Sequence, residues 1–107
     1  MTPDSRVYIA GHRGLVGSAI WREMERLGYR NLIGKAHKEL DLQDNEAVRR
    51  LYAETRPEYV VVAAAKVGGT LANSTYPADF LYKNLLIQNN LIHGAYLAGV
   101  KKLLFLG

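Results

Sequence analysis

Three glycines spaced three residues apart, Gly11, Gly14 and Gly17, are the residues of this sequence whose type and spacing best suit ligand chemistry. They follow a short apolar run, Val7 to Ala10, which is typical of a buried strand, and they lead into a segment with helical periodicity. A glycine lacks Cβ, so it permits a tight turn and a close approach of the backbone to a ligand. The free amides and the dipole at the start of the following helix favour an anion there. This order predicts a cradle for the diphosphate of a nucleotide.

Glycines are common in turns, so a purely structural turn is the alternative interpretation of this stretch. The spacing Gly-x-x-Gly-x-x-Gly is one residue longer than the Gly-x-Gly-x-x-Gly fingerprint of long-chain dehydrogenases. Its position directly after an amino-terminal strand and before a helix nevertheless favours nucleotide binding.

Basic residues near this turn indicate which dinucleotide it would hold. NAD-binding proteins of this architecture place an Asp or Glu just past the second strand, where it accepts hydrogen bonds from the ribose. Here residues 34–38 read G-K-A-H-K, the first acid is Glu39, and Arg13 lies inside the glycine turn. A guanidinium beside Lys35 and Lys38 suits a 2′-phosphate, so the sequence predicts NADP. Ordinary solvation is the alternative for the two lysines.

Other candidate residues carry two interpretations each. Asp41 and Leu42 could meet an adenine ring, although Asp41 could equally begin a turn. Lys66 follows an Ala-rich strand near the expected crevice, or it is a solvated loop residue. We interpret His12 as a turn residue rather than a base and His93 as a helix-interface residue rather than a ligand. The sequence shows no cluster of metal-ligand residues.

Composition restricts the class of protein. A chain of 107 residues, 49% of them hydrophobic, forms at most one globular domain. It has no apolar run near the roughly 20 residues of a membrane span, no signal-peptide pattern and no cysteine. We therefore expect a cytoplasmic protein that binds no membrane. The net charge of +4 is spread along the chain rather than gathered in a stripe, so we expect no nucleic-acid partner.

Strand and helix patterns alternate along the chain. The first strand is followed by an amphipathic helix from Leu15 to Leu27 with Gly28 as its carboxyl cap, and a short strand at Asn31 to Gly34 comes next. After a polar connection over 35–43, Asp44 caps a helix to about Thr55, which Pro57 ends. The remaining elements are a strand at Tyr59 to Ala65 covered on both faces, a loop with Gly68 and Gly69, a helix at Pro77 to Ala98 stopped by Gly99, and a strand at Lys102 to Gly107.

This alternation predicts an α/β fold, the amino-terminal half of a Rossmann-like doubly wound parallel sheet with four strands and three helices. In the order of such a sheet we expect the fourth strand beside the first, which would bring Gly11 and Gly107 side by side at the ligand crevice.

The long helix carries more apolar surface than one face requires. We expect Leu81, Leu85, Leu91 and Ala95 to pack on the sheet, while Tyr82, Leu86 and His93 point elsewhere. A second surface of this helix should therefore be buried, either by further chain or by a partner subunit.

Three segments together resemble one family closely. V-Y-I-A-G-H-R-G-L-V-G-S-A-I at 7–20, A-A-A-K-V-G-G at 63–69 with A-N-S-T-Y-P-A-D-F at 72–80, and K-K-L-L-F-L-G at 101–107 resemble the GDP-L-fucose synthases, which are extended short-chain dehydrogenase/reductases. The resemblance covers essentially all 107 residues. It implies conversion of GDP-4-keto-6-deoxy-D-mannose to GDP-L-fucose by 3,5-epimerisation and NADPH-dependent 4-reduction.

The resemblance also implies which residues contact the cofactor and a partner subunit. The long helix takes part in the family's dimer interface, so a homodimer through Pro77 to Ala98 is expected. His37 stands where the family often has an Arg that helps to hold the 2′-phosphate, so NADP preference would rest more on Arg13, Lys35 and Lys38. The cofactor contacts that the resemblance implies are Gly11, His12, Arg13, Gly14, Leu15, Val16, Gly17, His37, Lys38, Glu39, Leu40, Asp41, Leu42, Leu106 and Gly107. We also expect contacts at the end of the Ala-rich strand, at Ala63, Ala64, Ala65 and Lys66.

The family's catalytic residues follow the stretch matched here. A serine pair, a cysteine, a Tyr-x-x-x-Lys pair, a later histidine and the sugar-nucleotide domain are not found among these 107 residues. We therefore interpret the chain as an amino-terminal part that binds NADP, with no catalytic residue of its own and no turnover.

Two alternatives stay open at this point: part of a related sugar-nucleotide epimerase, dehydratase or reductase, such as one that makes colitose, and a non-catalytic module that binds NADP. Leu103 to Leu106 would form an open sheet edge in the isolated chain, which predicts poor solubility or self-association.

Overall fold

Parallel strands and helices alternate through residues 1–36, 38–63 and 77–106, which the computed structural model describes. The elements are β1 (Arg6–Ala10), α1 (Leu15–Arg26), β2 (Asn31–Ile33), α2 (Asn45–Thr55), β3 (Tyr59–Val62), α3 (Pro77–Leu97) and β4 (Lys102–Phe105). Within these ranges the structure confirms the expected four strands and three helices. The expected loop at Gly68 and Gly69 lies outside the described residues.

The strands form one parallel sheet in the order β2-β1-β3-β4. Tyr8 pairs with Ile33 on one side and with Val60 on the other, and Val60 in turn pairs with Leu103. The expectation that the fourth strand lies beside the first was wrong, because β3 lies between them. The observed order is the other common order of doubly wound sheets, in which the third strand rather than the fourth lies next to the first.

Two apolar layers cover the sheet. On one face, Val7 and Ile9 of β1 pack with Met24 of α1, and Trp21 joins them at the margin. On the other face, Tyr8 and Ala10 belong to a larger core with residues of α2, β3 and α3. β1 is buried on both sides, as the near-continuous apolar run of a central parallel strand requires.

The strand β3 was expected to be covered on both faces, and the coverage differs between them. Val60 and Val62 are fully buried against the larger core. Tyr59 and Val61 are only half-buried beside the α1 layer. The helix α1 therefore covers the β1 half of its face better than the β3 half.

The helix α2 begins and ends at the residues that its sequence indicates. Asp44 is the N-cap, and its Oδ1 accepts a hydrogen bond from the Ala47 amide at 3.2 Å. Arg56 ends the helix with a left-handed φ of 47°. The helical conformation is disfavoured for the residue before Pro57, so the chain leaves the helix at this point.

Tyr52 joins α2 to α3. Its hydroxyl donates to the Leu91 carbonyl oxygen at 2.8 Å, and burial raises the pKa of this phenol. A Cβ built on Gly94 would lie 2.9 Å from the Tyr52 ring, so the glycine allows the two helices to approach. The ring also makes an edge-to-face contact with Tyr8 of the sheet.

The buried stripe of α3 differs from the expected one. Leu91 and Ala95 are buried as predicted, but Leu81 is 58% exposed and Leu85 is 46% exposed. At about 100° and 1.5 Å per residue, Leu85 lies roughly 120° round the helix from Leu91, whereas Leu81 lies within about 40° of Ala95 but about 20 Å from it along the axis. Ile87 packs against the core in their place. No helix within the described ranges is long and apolar enough to cross a membrane.

Candidate functional site

The glycine turn is held by close backbone contacts. Gly11 has a positive φ of 82°, and its carbonyl oxygen accepts a hydrogen bond from the Gly14 amide at 3.0 Å. A Cβ built on Gly17 would lie 1.9 Å from that same oxygen, which no side chain could tolerate. Gly11 thus makes the turn, and Gly17 lets α1 start directly against it.

Among the described residues, no polar side chain caps the amino terminus of α1. Gly14 is the N-cap with extended backbone, and the first turn contains no acidic residue. At α2, by contrast, Asp44 accepts a backbone hydrogen bond and Glu46 stands in the first turn. The positive end of α1 is therefore free to receive an external anion, whereas that of α2 is satisfied by the protein itself.

His12 packs inside the site rather than pointing into solvent. Its ring centroid lies 5.3 Å from that of Trp21 on α1, with the planes tilted by 44°. A Cβ on Gly34, just after β2, would lie 2.7 Å from His12 Cγ. Burial lowers the pKa of His12 and nearby Arg13 lowers it further, while Glu39 opposes them. The ring is therefore a neutral contact between the turn and the end of β2.

The basic side chains expected near a 2′-phosphate are exposed beyond the carboxyl ends of β1 and β2. Arg13 in the turn and Lys35 and Lys38 after β2 all face solvent. Glu39 is also exposed, and its carboxylate accepts the Ala36 amide at 3.0 Å. This acid thus has a role in holding its own loop.

Asp41 forms a turn. Its Oδ1 accepts the Gln43 amide at 2.9 Å, and its carbonyl oxygen accepts the Asp44 amide at 3.0 Å. Of the two interpretations open in the sequence, the structure shows the turn. This side chain is exposed at the same time, and contact with an adenine ring stays a prediction.

The loop that carries these residues is anchored from below. Leu40 is buried in the larger core, and Leu42 packs partly against it. Asn90 of α3 donates from Nδ2 to the Leu42 carbonyl oxygen at 2.9 Å. This contact was not predictable from the sequence, because an amide within a long helix is typical of a solvated face. Asn90 is nevertheless 6% exposed, and it fixes the loop after β2 to the helix layer.

Because the strands are parallel, the carboxyl ends of all four lie at the same end of the sheet. Gly34, Gly11, Ala63 and Leu106 follow β2, β1, β3 and β4 in spatial order. The Ala63 amide donates to the Ala10 carbonyl oxygen at 2.9 Å, and the Leu106 amide donates to that of Val62 at 3.1 Å. Ala63 therefore occupies the place next to the glycine turn that was expected for Gly107.

The remaining predicted contacts divide into two groups. Leu15 and Val16, in the first turn of α1, are 90% and 54% exposed beside the cradle. His37, Ala64, Ala65, Lys66 and Gly107 lie outside the described residues.

A charged groove of about 640 Å³ lies at the opposite end of the sheet, where the strands begin, and contains no predicted site residue. Glu58 lies within it, 3.6 Å from the Arg6 guanidinium and 3.2 Å from Lys101 Nζ. The hydrogen bond from the Arg6 amide, followed by that from Lys101, lowers the pKa of Glu58. These contacts link β1 and β3 to the segment before β4, so the charged residues of the groove stabilise the sheet.

A parallel sheet with a glycine turn after its first strand, an open helix amino terminus and a basic loop after the second strand is the arrangement of a Rossmann-type fold, which many dinucleotide-binding proteins share. The profile of the NAD dependent epimerase/dehydratase family matches residues 7–107. The chain belongs to this family.

Comparison with individual proteins shows which enzymes of the family this chain is similar to. GDP-L-fucose synthase 1 of Arabidopsis thaliana is 56% identical over 97% of this chain and 32% of its own length. The GDP-L-fucose synthase of Escherichia coli (strain K12) is 54% identical over 95% of this chain and 32% of its own length. The chain thus spans about a third of the curated relatives it matches, as the resemblance to GDP-L-fucose synthases implied.

A solved structure with a bound dinucleotide has the same fold. The GDP-mannoheptose C4 reductase MlghC from Campylobacter jejuni, with NADP bound, is 43% identical with a TM-score of 0.94. The match covers 100% of this chain and 34% of that one. This similarity confirms the expected Rossmann-like architecture.

Proposed function

We propose that the glycine turn, the start of α1 and the loop after β2 form the adenosine and diphosphate part of the NADP site of a GDP-L-fucose synthase. The observation that carries the proposal is the contact of Gly17 with the Gly11 carbonyl, which starts an uncapped helix directly behind a glycine turn. The 54% identity to the E. coli GDP-L-fucose synthase supports the particular enzyme. The reductase with NADP bound supports the cofactor.

Each part of the cofactor has residues that suit it. The amides at the start of α1 would bind the diphosphate, since no side chain of the helix competes for them. Arg13, Lys35 and Lys38 would surround a 2′-phosphate, and no acid of the described loop before Glu39 would repel it. His37, Ala64, Ala65, Lys66 and Gly107 remain predicted contacts.

Reduction of the sugar requires groups beyond those described. NADPH, when bound, supplies the hydride. No Tyr-x-x-x-Lys pair occurs among the 107 residues, so we expect here neither the acid that donates a proton at C4 nor the groups that perform the epimerisation. Purified chain mixed with NADPH and GDP-4-keto-6-deoxy-D-mannose should therefore show no NADPH oxidation above background; clear turnover would contradict this assignment.

The experiment that tests cofactor binding is a fluorescence titration with NADPH and NADH. We expect NADPH to bind more tightly, because the 2′-phosphate gains charged partners. Arg13→Ala should weaken NADPH binding by roughly tenfold, in the range of a lost charge-assisted hydrogen bond, and leave NADH binding within about twofold. Arg50→Ala, an exposed arginine on α2, is the matched control. Equal affinity for both cofactors, or no loss in Arg13→Ala, would refute the assignment.

The outer face of α3 supports a homodimer in the whole protein. Leu81, Tyr82, Leu85, Ile92 and Tyr96 are all at least 44% exposed, so the helix is apolar on a face that the described residues leave uncovered. A second copy of the same helix would bury this face, as the family resemblance implies. A cytoplasmic location, the expectation from the sequence, goes with this assignment.

A second candidate is the reduction of a GDP-heptose, which the 43% identity to the C. jejuni GDP-mannoheptose C4 reductase favours. Both candidates use the same cofactor part. Product analysis of the whole protein, with GDP-4-keto-6-deoxy-D-mannose and a GDP-4-keto-heptose supplied separately, distinguishes them.

A further inference from the structure

We propose that His12 is a positioning residue of the dinucleotide site. Its ring, held between Trp21 and Gly34, sets the distance between the glycine turn and the loop after β2. This inference rests on the proposed function, because these two segments would hold the diphosphate and the 2′-phosphate of one cofactor. It adds a role for His12 that needs no contact between the imidazole and the ligand.

The ring lies flat on the backbone of Gly34. A Cβ built there would come within 2.7 Å of Cγ, 2.8 Å of Cδ2 and 2.9 Å of Nδ1 of His12. Three ring atoms at nearly equal distance mean that the imidazole plane faces the glycine, so any larger residue at position 34 would displace it. Trp21 supports the ring from α1, with centroids 5.3 Å apart.

The sheet itself does not make this connection. The pairing of β1 with β2 ends at Tyr8 and Ile33, so the backbone ladder has stopped before Gly34 and the glycine turn. Past that point the two segments would be free to separate. His12 spans the gap, and through Trp21 it also ties both segments to the helix whose amides would bind the diphosphate.

The charges around the ring favour the neutral form that such packing requires. Arg13 in the turn and Glu39 in the loop after β2 are the charged residues of the described chain that act on it, while its neighbours from α1 and β2 are uncharged. Burial and Arg13 lower the pKa of His12, and Glu39 opposes them only in part. The imidazole therefore packs without a charge of its own at neutral pH.

The test is a double-mutant cycle on NADPH affinity in the 107-residue chain, with His12→Ala, Gly34→Ala and both together. We expect each single change to weaken NADPH binding by roughly tenfold, since contacting pairs couple by about this much. Gly34→Ala should cost nothing further once His12 is alanine, because the new methyl group then has room. Additive losses, or single variants that bind within about twofold of the wild type, would overturn the inference.

Rescue and control variants separate positioning from loss of folding. His12→Phe keeps a planar ring and should retain NADPH affinity, whereas His12→Ala does not. His93→Ala, which removes an imidazole stacked on Tyr96 at 6.4 Å, should leave binding unchanged. If Gly34→Ala lowers the melting temperature as well, addition of His12→Ala should restore the stability, while NADPH affinity stays at the level of His12→Ala alone. Failure of that restoration would count against the proposal.

Trp21 supplies a readout that needs no cofactor. It is the single tryptophan of the 107 residues, and a protonated imidazole beside an indole quenches its emission. Emission should therefore fall as His12 gains its proton, with a midpoint below 6.5, and this step should vanish in His12→Phe. A wild type that lacks the step refutes the contact. A wild type that shows it but binds no NADPH refutes the proposed function and this inference with it.

Discussion

Gly17 is the position where the site depends most on a missing side chain. Alanine there would place Cβ 1.9 Å from a backbone oxygen, so α1 would have to move away from the turn. We expect Gly17→Ala to destabilise the chain by about 1–3 kcal/mol, as overpacked sites do, and to abolish NADPH binding. Urea unfolding and a cofactor titration measure the two effects.

Gly14 provides the comparison within the same turn. A Cβ there meets only an ordinary contact, 3.4 Å from the Gly11 oxygen. Gly14→Ala should therefore change the free energy of unfolding by no more than about 0.5 kcal/mol. Equal destabilisation by the two substitutions would show that the close contact of Gly17 is not what matters.

His12 gives stability a dependence on pH. Its pKa in the folded chain lies below the ordinary 6.5, so the unfolded chain binds the proton first as the pH falls. The contribution is therefore complete above about pH 6.5 and decreases as the pH drops through that value toward the folded pKa. Urea unfolding between pH 7.5 and 5.5 should show this decrease in the wild type and a smaller one in His12→Phe; the same slope in both would contradict it.

Among the helices, α2 shows how far local sequence determines an element. Asp44→Ala removes the acceptor for the Ala47 amide and should cost about 1 kcal/mol of unfolding free energy, without loss of the core. Glu54→Ala, an exposed change at the other end of the same helix, should stay within about 0.5 kcal/mol of the wild type. Similar losses in both variants would mean that the cap is not used.

Element boundaries were predicted well where a residue type enforces them. The glycine turn starts α1 at Leu15, Asp44 starts α2, and Pro57 stops it, each through the backbone chemistry of one residue. The order of the strands was not predictable in the same way. Two common doubly wound orders, 3-2-1-4 and 2-1-3-4, have the same alternation of strands and helices, and no local signal decides between them.

Contacts between elements were also beyond the sequence. The helix α3 carries apolar residues on more than one face, so its sequence did not show that the face of Leu91 and Ala95, rather than that of Leu85, packs on the core. The hydrogen bond from Asn90 and the packing of His12 on Gly34 join residues far apart in sequence. Neither contact corresponds to a characteristic residue spacing that could be recognised in the sequence.

At the scale of the molecule, the uncovered face of α3 predicts association. The wild-type chain should run as a dimer or larger species in light scattering, and Ile92→Lys with Tyr96→Lys should shift it toward the monomer because charges would then face each other. Leu27→Lys, at an equally exposed apolar site after α1, is the control and should not change the mass. A monomeric wild type would refute the use of this face.

The outer strand offers a second route to association. Leu104 of β4 is 56% exposed and Phe105 is 37% exposed at the free edge of the sheet, where the sequence predicts self-association or poor solubility. If the α3 substitutions leave the mass unchanged, Leu104→Lys should reduce it instead. The two surfaces can thus be told apart by which substitution yields the monomer.

The strand order also has a consequence for biosynthesis. β1 leaves the ribosome first, yet one of its two neighbours is β3, whose residue Tyr59 pairs with Val7. Until that later segment has been translated, residues 7–10 of the nascent chain lack one of their two neighbouring strands. These four residues are buried in the folded chain. Chaperone binding to the nascent chain should therefore decline only after β3 has left the ribosome and can dock beside β1.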